Sequence, residues 1–139
     1  MDRDTFFWQI ADGRLPPPRC AQTLGMKIVK VDAEAGVVEA EFNGKPEFTN
    51  PVGNVQGGFL AAMLDDSMGI ALACQLGAGE FSPTLNLNIS FLKPAKPGTL
   101  CGVGRVVRRG KDVCYLAGEL FQNGDLVATA TATALVRKI

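Results

Sequence analysis

The sequence predicts an α+β domain in which about six antiparallel strands wrap around one long central helix. Three observations lead to this prediction: a long apolar segment at 57–76, two strand-like runs before it, and four such runs after it. With 139 residues, 47% of them apolar, the chain is long enough to bury a hydrophobic core. We therefore expect residues 1–139 to form a single domain.

The N-terminal part is predicted to begin with a short helix. Residues 4–11 (DTFFWQIA) carry apolar side chains at helical spacing, and Gly13 then ends the pattern. Three consecutive prolines at 16–18 follow, and proline restricts the backbone of the residue before it as well as its own. We expect residues 1–19 to form this helix and a stiff Pro-rich linker.

A hairpin, a loop and the central helix are predicted next. Two β-branched runs at 28–31 and 37–42 flank a turn, which is typical of a β-hairpin. Prolines and a glycine punctuate 45–53 and indicate an ordered loop. Segment 57–76 has apolar residues on nearly every face and the adjacent pair Asp65-Asp66 as its only charges, so we expect protein to surround this helix.

Four strand-like runs follow the helix, and turn residues separate them. They span 83–92, 99–107, 113–121 and 126–136. Because the intervening turns favour hairpins, we expect an antiparallel meander. In the first run large apolar residues alternate with polar ones, which predicts one buried face. In the last run alanines alternate with threonines, and a row of alanines would let the helix approach closely.

The chain contains no histidine, and this absence excludes several kinds of chemistry. Catalytic triads with an imidazole base and histidine metal ligands are ruled out, so catalysis must use carboxylates, hydroxyls, thiols, amides or backbone groups. Four cysteines show no metal-ligand spacing and are expected to be free, mostly buried thiols of a reducing compartment. No segment has the length of a membrane span, so we expect no membrane partner and a cytoplasmic location.

The segment 50–58 (NPVGNVQGG), which leads into the central helix, is the most informative part of the chain. Two glycines open the helix where good helix formers are normally preferred. The first amides of a helix are unpaired donors, so Gly57 N–H is a candidate oxyanion hole that polarises a substrate carbonyl. The alternative is that the glycines only permit a tight turn into the helix, and the local sequence leaves both interpretations open.

Asp65 and Asp66 lie in the middle of the apolar helix, about 100° apart on it. A carboxylate in an enclosed apolar setting is a candidate general base or nucleophile. Gly57 and Asp65 are eight residues apart, which is ~12 Å along a helix axis. One carbonyl cannot contact both groups of one chain, so a shared site requires Asp65 from a second subunit at a two-fold interface.

Basic residues concentrate in one part of the chain although the net charge is zero. The interval 93–111 has no acid and holds Lys93, Lys96, Arg105, Arg108, Arg109 and Lys111. Such a segment either binds phosphates or forms solvated hairpin ends. Tyr115 is the only aromatic residue near it and no groove-binding helix is predicted, so nucleic acid is not an expected partner.

Three features of the chain resemble the hotdog-fold acyl-CoA thioesterases of the PaaI-like (phenylacetate-degradation) type. They are the NPxGxxQGG segment at 50–58, Asp65 nine residues after Gln56, and NISFLKP at 88–94. The resemblance covers nearly all of 24–137. It implies a six-stranded sheet around a central helix, homodimers that often pair into homotetramers, and an acyl-CoA substrate without a metal or other cofactor.

The resemblance also implies site roles. Gly57 N–H would polarise the thioester carbonyl with Gly58 beside it, Asn50 would help to orient it, and the partner's Asp65 would act as base or nucleophile. Thr84 matches a hydroxyl position that orients the carboxylate or water, and Arg108, Arg109 and Lys111 are expected to meet the phosphates of CoA. Gln56 is also a candidate catalytic residue, although the family pattern has histidine there and an amide cannot take up a proton near neutral pH.

Several hypotheses follow for the function. The leading one is hydrolysis of an acyl-CoA thioester by Asp65 and the Gly57 amide. The second is a hotdog protein that binds an acyl-CoA or another apolar carboxylate without turnover. A hotdog dehydratase is disfavoured, since those enzymes use a catalytic histidine, and a purely structural oligomer leaves Asp65 unexplained.

Overall fold

The computed structural model describes residues 2–139 and confirms the predicted α+β architecture. Its helices are α1 (Phe6–Ala11), α2 (Arg19–Thr23) and α3 (Gly57–Ala73), with a 3₁₀ turn at Pro46–Phe48. Its strands are β1 (Lys27–Asp32), β2 (Val37–Gly44), β3 (Glu80–Phe81), β4 (Thr84–Phe91), β5 (Gly98–Arg109), β6 (Val113–Gln122), β7 (Asp125–Leu135) and β8 (Arg137–Lys138). Six strands form one antiparallel sheet around α3, while β3 and β8 form a separate pair.

The strand order of the large sheet is β1-β2-β5-β6-β7-β4. The expected hairpins β1–β2, β5–β6 and β6–β7 are present, but the expected four-strand meander is wrong for β4, which pairs with β7 at the edge. Large residues of β4 lie opposite alanines of β7 in this pairing: Leu87 opposite Ala132, Ile89 opposite Ala130 and Phe91 opposite Ala128. Large and small side chains thus alternate across the two strands, which favours this register.

The central helix comes closest to β5 rather than to the alanine row of β7, contrary to the prediction. A Cβ added at Gly104 would collide with the carbonyl oxygen of Ser67, and one at Gly102 would collide with the Ser67 hydroxyl. The alanines of β7 are buried, but they pack against other core side chains and pair with strand β4. Glycines on β5, not alanines on β7, therefore permit the close contact between helix and sheet.

Strand β4 is more exposed than its alternating pattern predicts. Leu85 and Phe91 are each 55% exposed, and Leu87 and Ile89 are only half-buried. The expected buried face is therefore incomplete in one chain, because β4 lies at the edge of the sheet and only β7 flanks it. By contrast, no residue of α3 from Phe59 onwards is fully exposed, which agrees with the expectation of a helix surrounded by protein.

The N-terminal residues pack at the carboxyl end of α3. Trp8 is buried, and its indole Nε1 donates a hydrogen bond to the carbonyl of Cys74 at 3.2 Å. The expected helix is present as α1, residues 12–18 form neither helix nor strand, and α2 begins directly after Pro18. Pro18 is the N-cap residue of α2, and its backbone carbonyl accepts the hydrogen bond from Gln22 N–H at 3.0 Å.

All four cysteines are free, as expected, although only Cys74 and Cys114 are buried; Cys20 and Cys101 are exposed. Burial raises the pKa of the Cys74 thiol to about 11, which makes it unreactive. Within residues 2–139 no helix has both the length and the apolar character required to cross a bilayer.

Candidate active site

The loop before α3 is held by the side chain of Asn50. Its Oδ1 accepts hydrogen bonds from the backbone N–H groups of Val52 and Asn54, both at 3.1 Å. Asn50 N–H also donates to the Asn54 carbonyl at 2.8 Å. Since Oδ1 is engaged in the loop, Nδ2 is the side-chain atom that Asn50 can offer to a ligand.

Gln56 is the N-cap residue of α3 and is exposed. Its backbone N–H donates to the Phe48 carbonyl at 2.8 Å, and its own carbonyl accepts from Phe59 and Leu60. The side chain makes no capping hydrogen bond. Gln56 therefore fixes the start of the helix with its backbone, and its side chain stays outside the cavity described next.

Gly57 lines an open cavity of about 390 Å³. Its N–H has no hydrogen-bond partner within the described chain, and it lies at the positive end of a 17-residue helix. Asn50, Leu60 and Phe91 line the same cavity. This arrangement offers a backbone donor, a side-chain amide and apolar walls to a ligand that carries a carbonyl oxygen.

Asp65 lies two turns further along α3, where it contacts the start of β4. The hydroxyl of Thr84 donates a hydrogen bond to Asp65 Oδ1 at 3.0 Å. Both side chains are partly open to solvent, so water reaches this carboxylate. The structure brings together these two sequence-predicted residues, and a hydroxyl donor of this kind holds a carboxylate in one orientation.

Gly57 and Asp65 are not brought together within one chain. The helix is continuous from Gly57 to Ala73, so the eight residues between them span ~12 Å of its axis. Their neighbours on β4 are also at opposite ends of that strand, Phe91 beside Gly57 and Thr84 beside Asp65. One chain thus holds the Gly57 amide and the Asp65 carboxylate at two separate places.

Asp66 is the second carboxylate in the middle of α3, directly after Asp65. Its Oδ2 is fully buried and has no hydrogen-bond partner in the described chain. Desolvation by burial, with a smaller contribution from the neighbouring negative charge of Asp65, raises the pKa of Asp66 to about 6. From the sequence, the two carboxylates differ only in direction, because adjacent residues of a helix point about 100° apart.

The expected phosphate-binding residues lie near the opposite end of α3 from Gly57. Arg109 donates to the Gln75 carbonyl at 2.9 Å, just past the end of the helix. Arg105, a member of the same basic segment, forms an ion pair with Glu119. Arg108 is exposed in β5 and Lys111 in the turn after it. In one chain none of these cations lines the cavity at Gly57.

Two lysines of the basic segment lie near Gly57 instead. Lys93 lines the cavity, and Lys96 donates to Asn54 Oδ1 at 2.6 Å in the adjacent hollow. A proline follows each of these lysines, which indicates a loop after β4. This pattern is the sequence feature that could have placed the two lysines there. No cluster of three or more potential metal ligands occurs among residues 2–139.

The fold defines the class of protein. One six-stranded antiparallel sheet wraps around a long helix, and this is the hotdog fold. A family model described as the thioesterase superfamily matches residues 52–129, which is more than half of the chain. The chain therefore belongs to the thioesterase superfamily and is a thioester hydrolase, and the expected resemblance to this family is confirmed.

Individual relatives agree with this assignment. Human acyl-coenzyme A thioesterase 13 is 32% identical over 111 residues, which cover 77% of this chain and 78% of that protein. The crystal structure of a phenylacetic acid degradation-related protein from Ralstonia eutropha JMP134 has a TM-score of 0.92 and 49% identity, covering 94% of this chain and 99% of the other. The E. coli PaaI protein shares the fold, with a TM-score of 0.81 at 24% identity over 96% of this chain and 93% of its own.

Proposed function

We propose that this protein hydrolyses acyl-CoA thioesters to a carboxylic acid and CoA, at sites that two copies of the chain build together. One observation carries the proposal. The unpaired amide of Gly57 lies in a cavity, and the Asp65 carboxylate, which the Thr84 hydroxyl orients, lies on the same helix but too far away to act on the same carbonyl. The name of the human relative supports acyl-CoA as the substrate.

The chemistry requires two groups that act on one carbonyl. The N–H of Gly57 donates to the thioester oxygen and stabilises the negative charge that develops on it, while Asn50 Nδ2 helps to hold the oxygen. Asp65 either removes a proton from the attacking water or attacks the carbonyl carbon itself, after which water hydrolyses the resulting anhydride. In both routes the C–S bond breaks and the thiolate of CoA leaves, so neither a metal nor a redox cofactor is required.

The edge strand β4 supports a two-fold pairing with a second copy. It has one unpaired edge, and its outward residues Asn86, Asn88 and Ser90 carry no charge. The other edge strand, β1, carries the charged residues Lys27, Lys30 and Asp32, and charges on an edge strand discourage pairing. The free edge of β4 is therefore the better surface for joining two sheets.

The length of β4 fits such a pairing. An antiparallel two-fold between Leu87 and Asn88 would set Thr84 of one copy opposite Phe91 of the other. Within each copy Asp65 is hydrogen-bonded to Thr84, and Gly57 lies against Phe91. The pairing would therefore bring the partner's Asp65 close to the Gly57 amide of the first copy. The homodimer then has two composite sites, and we propose that dimers pair further into homotetramers, as hotdog thioesterases often do.

The same two-fold accounts for the basic residues. It brings the far end of the partner's α3, with Arg108, Arg109 and Lys111 near it, toward the Gly57 end of the first chain. These cations, together with Lys93 and Lys96, would then surround the nucleotide phosphates of CoA. Gly58, next to Gly57, lets the substrate approach the start of the helix because it has no side chain.

The function is tested by thiol release from short, medium, long and aromatic acyl-CoAs. The wild type is expected to release thiol, and Asp65→Asn is expected to lower kcat by ~10²-fold or more, because it removes a positioned base. Asp66→Asn is the matched control, since it makes the same change one residue away. Wild-type turnover by Asp65→Asn with an intact oligomer would refute the mechanism.

Binding without turnover is the second candidate, and Gln56 favours it. An exposed amide occupies the position where the family has histidine, and it cannot take up a proton. We expect turnover nevertheless, and we expect Gln56→Ala to lower kcat/KM less than Asp65→Asn does. Calorimetric binding with no thiol release across the acyl-CoA panel would decide for the second candidate.

A further inference from the structure

The aromatic ring of Phe91 occupies the space that a side chain at position 57 would fill. A Cβ built on Gly57 would lie 3.0 Å from Cζ of Phe91, 3.2 Å from Cε1 and 3.4 Å from Cε2. Gly57 is not among the glycines with positive φ, so its backbone conformation does not demand glycine. The position is small because the ring is there, and Gly57 and Phe91 form one packed pair.

The same ring is a wall of the cavity that holds the Gly57 amide. Phe91 lines this cavity together with Val55, Leu60 and Leu92. It is 55% exposed although it sits directly against the helix. When a ligand oxygen accepts a hydrogen bond from the Gly57 N–H, the neighbouring ring can make apolar contact with the ligand atoms next to that oxygen.

We propose that Phe91 is a specificity-determining residue, which admits acyl groups with an unbranched CH₂ next to the thioester carbonyl and excludes those with a substituted α-carbon. This inference rests on the proposed function. When the carbonyl oxygen accepts a hydrogen bond from Gly57 N–H, the α-carbon is two bonds from that oxygen. A methyl group on the α-carbon would then meet the Phe91 ring, which already touches Gly57.

The Phe91 side of the cavity leaves little room for such a substituent, because the ring already lies against Gly57 at the start of α3. On strand β7, Ala128 faces Phe91 and is fully buried. A smaller side chain at position 91 would make room beside Gly57, and a single methylene or methyl in an apolar pocket typically changes kcat/KM by about 10–200-fold.

The test compares butanoyl-CoA with 2-methylpropanoyl-CoA, which have the same atoms and differ only in branching at the α-carbon. For the wild type, kcat/KM is expected to be at least about tenfold higher for butanoyl-CoA. In Phe91→Ala the ratio is expected to fall to about threefold or less, mainly through a gain on the branched substrate. A wild-type ratio near one, or an unchanged ratio in Phe91→Ala, would overturn the proposal.

Two further variants separate specificity from folding. Phe91→Tyr keeps the ring and should keep the ratio. Phe81→Ala makes the same truncation at an aromatic residue of similar exposure, 54%, which lies in β3 outside the cavity, and it should also keep the ratio. A fall of the ratio in Phe81→Ala equal to that in Phe91→Ala would contradict a local role for the ring.

A binding experiment tests the role of Phe91 independently of the proposed hydrolysis. Analogues of the two substrates in which CH₂ replaces the thioester sulfur cannot be hydrolysed, and calorimetry gives their Kd values. If no acyl-CoA is turned over, the proposed hydrolysis fails, but a Kd ratio that favours the unbranched analogue and collapses in Phe91→Ala still supports the role of Phe91. Equal Kd values for both analogues in the wild type would overturn it.

Discussion

The hydroxyl of Thr84 donates a hydrogen bond to Asp65 Oδ1 at 3.0 Å, and this contact joins the edge strand of the sheet to the middle of the central helix. Nineteen positions separate the two residues in the sequence. No other side-chain hydrogen bond in residues 2–139 reaches Asp65, so this one determines how its carboxylate is oriented.

Loss of the Thr84 hydroxyl is expected to impair catalysis without removing the catalytic carboxylate. Thr84→Val keeps the shape of the side chain but deletes the donor, and a hydrogen bond to a charged group is worth about 1.5–3 kcal/mol. We expect kcat to fall by about 10–100-fold. Steady-state kinetics of thiol release measure this, and Thr84→Ser should restore most of the activity. A Thr84→Val variant as active as the wild type would show that the contact does not serve catalysis.

Mixed dimers test whether one site takes groups from two chains. Asp65→Asn lacks the carboxylate, and Gly57→Val fills the place of the Phe91 ring, so each variant alone should be inactive. When the two are co-expressed, about half of the dimers are mixed and each mixed dimer has one intact composite site, so about a quarter of wild-type activity should return. If Gly57 and Asp65 acted within one chain, no activity would return.

The buried Asp66 carboxyl is expected to make stability depend on pH. Its pKa is about 6 in the folded protein against 3.8 for the ordinary group, so the folded state binds more protons than the unfolded state between these values. The free energy of unfolding therefore falls as pH rises from about 4 to about 6, and the full penalty remains above that range.

Asp66→Asn should remove this penalty, because an amide does not ionise. At pH 7.5 the variant should be more stable than the wild type by about 2–3 kcal/mol, and at pH 3.5 the two should be nearly equal. Urea denaturation at both pH values gives the two free energies of unfolding. An equal difference at both pH values would contradict the titration of Asp66.

The contact between Gly104 and Ser67 predicts a severe effect of a single methyl group. Gly104→Ala would push a Cβ into the backbone of α3, and such overpacking typically costs about 1–3 kcal/mol or more. Gly118→Ala is the matched control on the next strand, because its Cβ would meet only side chains, those of Met68 at 3.0 Å and Leu64 at 3.3 Å. Thermal unfolding should therefore show a clearly larger loss for Gly104→Ala, and equal losses would indicate that the helix can move.

Local patterns in the sequence predicted the elements well, because each element is encoded by its own residues. The strands around 84–91, 98–109, 113–122 and 125–135 were recognised from alternation and turns. The order of the strands was not, since the pairing of β4 with β7 depends on which large side chain meets which alanine across distant parts of the chain. Periodicity records which face is buried and not which strand lies beside it.

The candidate site was predicted partly from residues and partly from resemblance. The spacing of Gly57 and Asp65 was sufficient to separate them along one helix, and the structure agrees. The proximity of Thr84 to Asp65 followed only from the resemblance, because two residues on different elements leave no local signature. The burial of Asp66 and the contact of Phe91 with Gly57 were not predicted, since burial of one oxygen atom and contact of one ring with one glycine depend on tertiary packing.

The glycine contact on β5 also has a mechanical consequence for the site. Where Gly104 meets Ser67, main chain lies on main chain, and no side chain there can change its rotamer to let the helix slide or turn. The first amides of α3 belong to the same continuous helix, so this contact also restrains their position. Phe91 borders the same cavity beside Gly57, so a substitution at position 91 changes the shape of the cavity without a change in the helix.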